Sequence, residues 1–117
     1  MVIDSNALDR VFAALSDATR RGMMAQLSKG DANVSQLAEP YAMSQPAISK
    51  HLKILENAGL IERTKIGRET WVRARPEKAE EAAEWIKHYA TFWQQRFDAV
   101  DHILNKRRSD PDDKDIL

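Results

Sequence analysis

Between Ser44 and Ala74 the apolar residues change period, and this switch constrains the fold more than any other feature. In "SQPAISKHLKILENA" they follow a helix: Ile48, Leu52 and Leu55 share one face, widened by Ala47, Ile54 and Ala58. Ser44 suits the N-cap, and Pro46 falls in the first turn, where a missing N–H costs nothing. Gly59 follows the last helical residue, Ala58, as a C-terminal glycine does. "LIERTKIGRETWVRA" then reads as two short strands, Ile61 to Ile66 and Glu69 to Ala74, around a turn at Gly67-Arg68. A helix feeding directly into a tight hairpin leaves few architectures open.

The flanking segments narrow them further. "ALDRVFAALSD" places Leu8, Val11, Phe12 and Leu15 on one helical face. A second helix, capped by Ser16 or Asp17, is expected to run to about Ser28 and stop near Gly30. "DAN" reads as a turn, and "VSQLAEPYAM" as a short third helix capped by Ser35 and interrupted by Pro40. Ala38 and Ala42 supply small residues where two helices joined by a tight turn must approach. After the break at Pro76 comes one long helix over residues 77–106, acidic at its start and basic at its end, both suited to the helix dipole. Residues 107–117 read as a flexible tail. The expected fold is mainly α with a small β-hairpin: one winged helix-turn-helix domain over residues 1–106, with a long C-terminal dimerisation helix.

Net charge is zero, but its distribution is uneven. Residues 1–43 hold four basic against five acidic residues, 44–75 hold seven against three, and 76–117 hold seven against ten. A polyanion responds to local charge, so the basic middle third is where nucleic acid would sit. With no cysteine, thiolate metal sites, disulfides and a thiol nucleophile are excluded. No nucleophile–base pair, phosphate loop or metal-ligand motif stands out, so an enzyme is not expected. Neither a membrane span nor a signal peptide is legible, and a cytoplasmic location is the expectation.

The polar face of the fourth helix carries Gln45, Pro46, Ser49, Lys50, Lys53 and Asn57. Small polar groups near a helix N-terminus permit close approach to base edges: Gln45 suits adenine, and the lysines suit phosphate or guanine. The plainer reading is a solvated surface face. His51, at the margin of the apolar stripe, suits either a phosphate contact or half-buried packing. Lys65 and Arg68 in the hairpin suit a minor groove or phosphate, while charges there also guard a sheet edge. Arg63 and Arg73 fit either role; Trp71 and Val72 suit packing.

The segments "ALSDATRRGMMAQL" and "VSQLAEPYAMSQPAISKHLKILENAGLIERTKIGRETWVRA", with the long last helix, resemble the ArsR/SmtB family of bacterial winged-helix repressors. The resemblance covers most of the chain. It implies a homodimer on a palindromic double-stranded DNA operator, usually as a repressor. It places Ser44, Gln45, Pro46, Ser49, Lys50 and His51 at the reading helix. Arg20 and Arg21 match the family's "DxTRR" segment, where an arginine supports the DNA-facing side; bonding the end of a neighbouring helix stands beside that role. The DNA-binding candidates are therefore Ser44, Gln45, Pro46, Ser49, Lys50, His51, Lys53, Lys65, Arg68 and Arg20.

Family metal sensors often carry cysteines where this chain has "LAEPYAMS", so the resemblance is to the branch without that site. Others hold metal on the last helix. His88, Asp98, Asp101 and His102 are the candidates here, but their spacing differs from the family's cluster, and no metal site or cofactor is assigned. A metal-responsive repressor using that helix, or a winged-helix protein-interaction module, are the alternative functions. The last helix steps apolar residues by three or four: Ile86, Tyr89, Trp93, Phe97, Val100 and Leu104, with Trp85, Phe92 and Ile103 beside them. This face either folds back on its own domain or meets a second copy, and its aromatic content favours the second. Leu8 and Phe12 complete the candidate dimer interface. No membrane partner is expected, and the sequence names no effector.

Overall fold

The computed structural model describes residues 4–108. Helices α1 (Ser5–Leu15) and α2 (Ala18–Leu27) are followed by a short strand β1 (Ala32–Asn33), helix α3 (Val34–Ala38) and helix α4 (Gln45–Asn57). Strands β2 (Ile61–Ile66) and β3 (Glu69–Ala74) and the long helix α5 (Pro76–Arg108) complete the chain. Two compact units are distinguished, one ending at Ala82 and one starting at Ala83. Helix α5 gives its first turns to the former and makes up the described part of the latter.

The starts of α1 to α4 are each set by a side chain that satisfies an orphan N–H. Asp4 accepts from the Asn6 amide, Asp17 from Arg20 and Ser44 from Ala47. Helix α3 is capped by Asn33 rather than Ser35. Asn33 accepts from the Gln36 amide at 2.8 Å, and the Gln36 side chain accepts from the Asn33 amide at 3.0 Å. This reciprocal box satisfies two donors at once and outcompetes a single hydroxyl. The helix ends at Ala38, ahead of Pro40. Ala38 packs against the core, whereas Ala42 is exposed.

The turn from α4 into the sheet is a closed hydrogen-bonded motif. Gly59 takes φ 76°; its N–H donates to Glu56 O at 2.9 Å, and the Leu60 N–H donates to Leu55 O at 3.0 Å. Leu55 and Leu60, both fully buried, are the apolar pair that accompanies this ending. Arg75 N then donates to Leu60 O at 2.8 Å, tying the end of the hairpin back to its start. At the other end Gly67, with φ 63°, supplies the positive dihedral that a two-residue hairpin turn requires.

The sheet has three strands in the order β1-β3-β2, not two. "DAN" is therefore not only a turn: Ala32 pairs with Val72 and Asn33 with Trp71. The hairpin runs in the expected register, from Ile61 opposite Ala74 to Ile66 opposite Glu69. The core beneath holds Val11 and Ala14 of α1, Met23 of α2, Leu37 of α3, Ile48, Leu52 and Leu55 of α4, and Val72 of β3, each at most 2 % exposed. Burial of each large side chain contributes about 1.5–3 kcal/mol. Helix α5 continues to Arg108, two residues past its expected end; the rest of the expected tail lies outside the described residues.

Candidate nucleic-acid interface

Because Ile48, Leu52 and Leu55 bury one side of α4, the other side must face out. Gln45, Pro46, Ser49, Lys50 and Lys53 are all exposed there, and Ser44 at the cap is exposed as well. The one acid in α4, Glu56, lies near its far end and accepts a hydrogen bond from Arg63 of β2 at 2.7 Å. That bond is the main cause holding the Glu56 carboxyl below its usual range and the Arg63 guanidinium above its own. The exposed front of α4 is left polar and basic.

The ion pairs sort the basic residues of the middle third into two groups. Arg63 pairs with Glu56, Arg73 with Asp31 at 3.1 Å, and Arg75 with Glu62 at 3.0 Å. Among the described residues, Lys50, Lys53, Lys65 and Arg68 engage no carboxylate in a salt bridge, and all four are exposed. A cation already paired inside the protein must give up that partner to meet a phosphate; these four need not. They lie on the α4 front and on the hairpin. Trp71 is half-buried and Val72 fully buried, so both pack, as expected.

A groove joins these elements. Gln45 and Ser49 of α4, Arg68 at the hairpin turn, Thr70 of β3 and Ser35 of α3 all line it, with Glu69 and the paired Arg63 on its wall. Gln45, Ser49 and Arg68 are thus brought together, while Lys50, Lys53 and Lys65 lie outside the groove on the same elements. Ser35 and Thr70 were not among the sequence candidates. The Asn33-x-x-Gln36 box was the available signal for Ser35: with Asn33 as the cap, the Ser35 hydroxyl is free to face outward.

Arg20 and His51 sit differently. Arg20 donates from Nε to Ala14 O at 2.6 Å and from Nη2 to Ala13 O at 3.2 Å, and Arg21 donates to Leu15 O at 2.8 Å. Both arginines therefore bond the end of α1, the structural role left open for one of them. Arg20 Nη1 also lies 3.0 Å from His51 Nδ1, and His51 is half-buried. The Asp17 carboxyl is held below its usual range, chiefly by the hydrogen bond from the Arg20 amide.

On the second unit, α5 displays a ladder of rings. Trp85 stacks on Tyr89 with centroids 4.9 Å apart, Tyr89 lies 6.4 Å from Trp93, and Trp93 lies 5.9 Å from Phe97. Ile86, Tyr89, Trp93, Phe97 and Val100 are between 44 % and 57 % exposed, far above what apolar side chains keep in a finished core. Leu104 is half-buried. In the first unit, Phe12 is 36 % exposed, whereas Leu8 packs against the core. His88, Asp98, Asp101 and His102 are all exposed, and among the described residues no three metal-ligating side chains converge. No described helix is long and apolar enough to cross a membrane.

Comparison with known proteins fits this geometry. Residues 17–63 match the family model described as "Bacterial regulatory protein, arsR family". The chain is 32% identical over 108 residues to the arsenical resistance operon repressor of Escherichia coli, covering 92% of each protein. It is 43% identical over 53 residues to the HTH-type transcriptional regulator Rv2034 of Mycobacterium tuberculosis. That match takes in 45% of this chain and spans half the relative's length. The crystal structure of the ArsR family transcriptional regulator RHA00566 superposes with a TM-score of 0.76 at 34% identity, covering 80% of this chain and 97% of that one.

Proposed function

The chain belongs to the arsR family of bacterial regulatory proteins, and we propose that it is a homodimeric, sequence-specific DNA-binding repressor of a palindromic operator. The observation that carries this reading is that Lys50, Lys53, Lys65 and Arg68, on α4 and the hairpin, are exposed and form no salt bridge among the described residues, beside a groove lined by Gln45, Ser49 and Arg68. Each α4 enters a major groove, with Gln45 and Ser49 at base edges and Lys50 and Lys53 on phosphate or guanine. Ser44 and Pro46, at the helix N-terminus, approach the backbone. Arg68 and Lys65 hold the flanking groove or phosphates. The α5 face of one copy meets that of a second, so that the two reading helices lie about one helical turn apart (roughly 34–36 Å). The word "repressor" in the name of the Escherichia coli relative supports the direction of regulation. This chain has no cysteine, so a soft thiolate site for the arsenical named there is not part of the proposal.

Selecting duplexes from a randomised pool with the purified protein tests the reading. Ser49→Ala with Lys50→Ala is expected to weaken binding to the selected duplex about 10–100-fold and to lower the salt slope by about one unit. Binding to a scrambled duplex should fall far less. A double variant that binds the selected duplex as tightly as the wild type overturns the assignment of α4.

A further inference from the structure

Three helices meet at one guanidinium. Arg20, in the first turn of α2, donates to Ala14 O and to Ala13 O at the end of α1; Ala13 O also accepts from the N–H and the hydroxyl of the cap residue Ser16. Its third contact, Nη1 to His51 Nδ1 at 3.0 Å, reaches the middle of α4 across 31 residues of sequence. Asp17 Oδ2 lies 3.8 Å from the same ring nitrogen. A guanidinium has donors only, so this contact is a hydrogen bond when Nδ1 accepts, with the ring proton on Nε2.

One other polar side-chain tie reaches α4 among the described residues, from Arg63 of β2 to Glu56 near the helix's far end; the remaining attachments are apolar. Ile48, Leu52 and Leu55 hold the helix against the core, but apolar burial is non-directional and tolerates small rotations about the helix axis. A hydrogen bond is directional and weakens steeply once misaligned. His51 follows Ser49 and Lys50 by two residues and one residue, so its ring is the polar anchor nearest the exposed face.

We propose that His51 is a positioning residue for DNA recognition. Its hydrogen bond from Arg20 fixes the rotation of α4, so that Gln45 and Ser49 meet base edges in register. This rests on α4 being the DNA-reading helix. His51 itself acts through Arg20 and needs no contact with DNA.

Two near-isosteres separate that role from a direct contact. Asparagine places its amide oxygen where Nδ1 lies, and glutamine carries its amide out toward Nε2. Binding to the selected duplex and to a scrambled duplex is compared for the wild type, His51→Asn, His51→Gln and His51→Leu, with melting followed by circular dichroism to confirm that each is folded. His51→Leu and His51→Gln are expected to lose about tenfold or more on the selected duplex and little on the scrambled one, as for a lost hydrogen bond to a charged donor. His51→Asn should stay within about threefold of the wild type. Rescue by glutamine instead of asparagine, equal failure of both, or undiminished discrimination by His51→Leu overturns the proposal. Nitrogen NMR of the free protein gives a readout without DNA: Nδ1 of His51 should be the unprotonated ring nitrogen, and a proton there overturns the proposal whatever the DNA result. A wild type that selects no sequence overturns the reading of α4 and this proposal with it. Loss confined to the His51 variants' behaviour leaves the α4 reading intact.

Discussion

Tyr89→Glu combined with Trp93→Glu is expected to turn the protein into a monomer and to cost it most of its operator affinity. Both rings lie in the ladder on α5, at 47 % and 44 % exposure, and both belong to the unit that starts at Ala83. The buried core of the first unit comes from residues up to Ala82, so the double substitution should leave its melting largely unchanged. Across a two-fold interface each glutamate would sit in an apolar environment with its own copy close by, and burying such charges costs several kcal/mol. Losing the link between two half-sites removes the effective concentration that makes the second contact intramolecular, a factor of about 10²–10⁴ in overall affinity. Sedimentation velocity and a binding titration on the selected duplex check both effects. A double variant that still sediments as a dimer would show that these rings are not the seam.

Leu52→Ala has the second large expectation, this time on stability. Leu52 is 1 % exposed, in the middle of the apolar stripe of α4. Truncation removes its transfer free energy and leaves a cavity, together about 2–5 kcal/mol. For a domain of this size each kcal/mol is worth roughly 4–8 °C, so a fall of about 8 °C or more in Tm is expected. Leu52→Met, which conserves volume, should cost under about 1.5 kcal/mol. Denaturant titration measures both. Specific DNA binding should weaken in Leu52→Ala even where the fold survives, because the same residue that fills the core holds the reading helix. An alanine variant with the stability of the methionine one would mean that α4 is not anchored through this stripe.

How much of this was legible in the chain depends on how local each signal is. Helix α4 and the hairpin were readable almost to the residue. Ser44, Gly59 and Gly67 each act on their own neighbourhood, and the change of apolar period lies between them. Strand β1 was not readable: two residues cannot show a period, and their pairing with Trp71 and Val72 is set some 40 residues away. The cap of α3 was misplaced by two residues because a hydroxyl beside an amide box offers two plausible starts, and only the paired hydrogen bonds decide.

The candidate interface follows the same rule. The exposure of Gln45, Ser49, Lys50 and Lys53 follows from helix geometry alone. Which arginines of the middle third are already engaged does not, because Glu56, Asp31 and Glu62 reach them through the tertiary fold. The tie between Arg20 and His51 is of that kind too: each residue had two readings in the sequence, and their contact joins helices 31 residues apart.

In the proposed complex, two copies of α4 read two successive major grooves. Methylation protection of guanine N7 on the selected duplex looks directly into those grooves. Two symmetric clusters of protected major-groove positions, centred about 34–36 Å apart, are expected, both weakened in Ser49→Ala with Lys50→Ala. A duplex bound with no major-groove protection, or with protection that the α4 substitutions leave untouched, would contradict this arrangement.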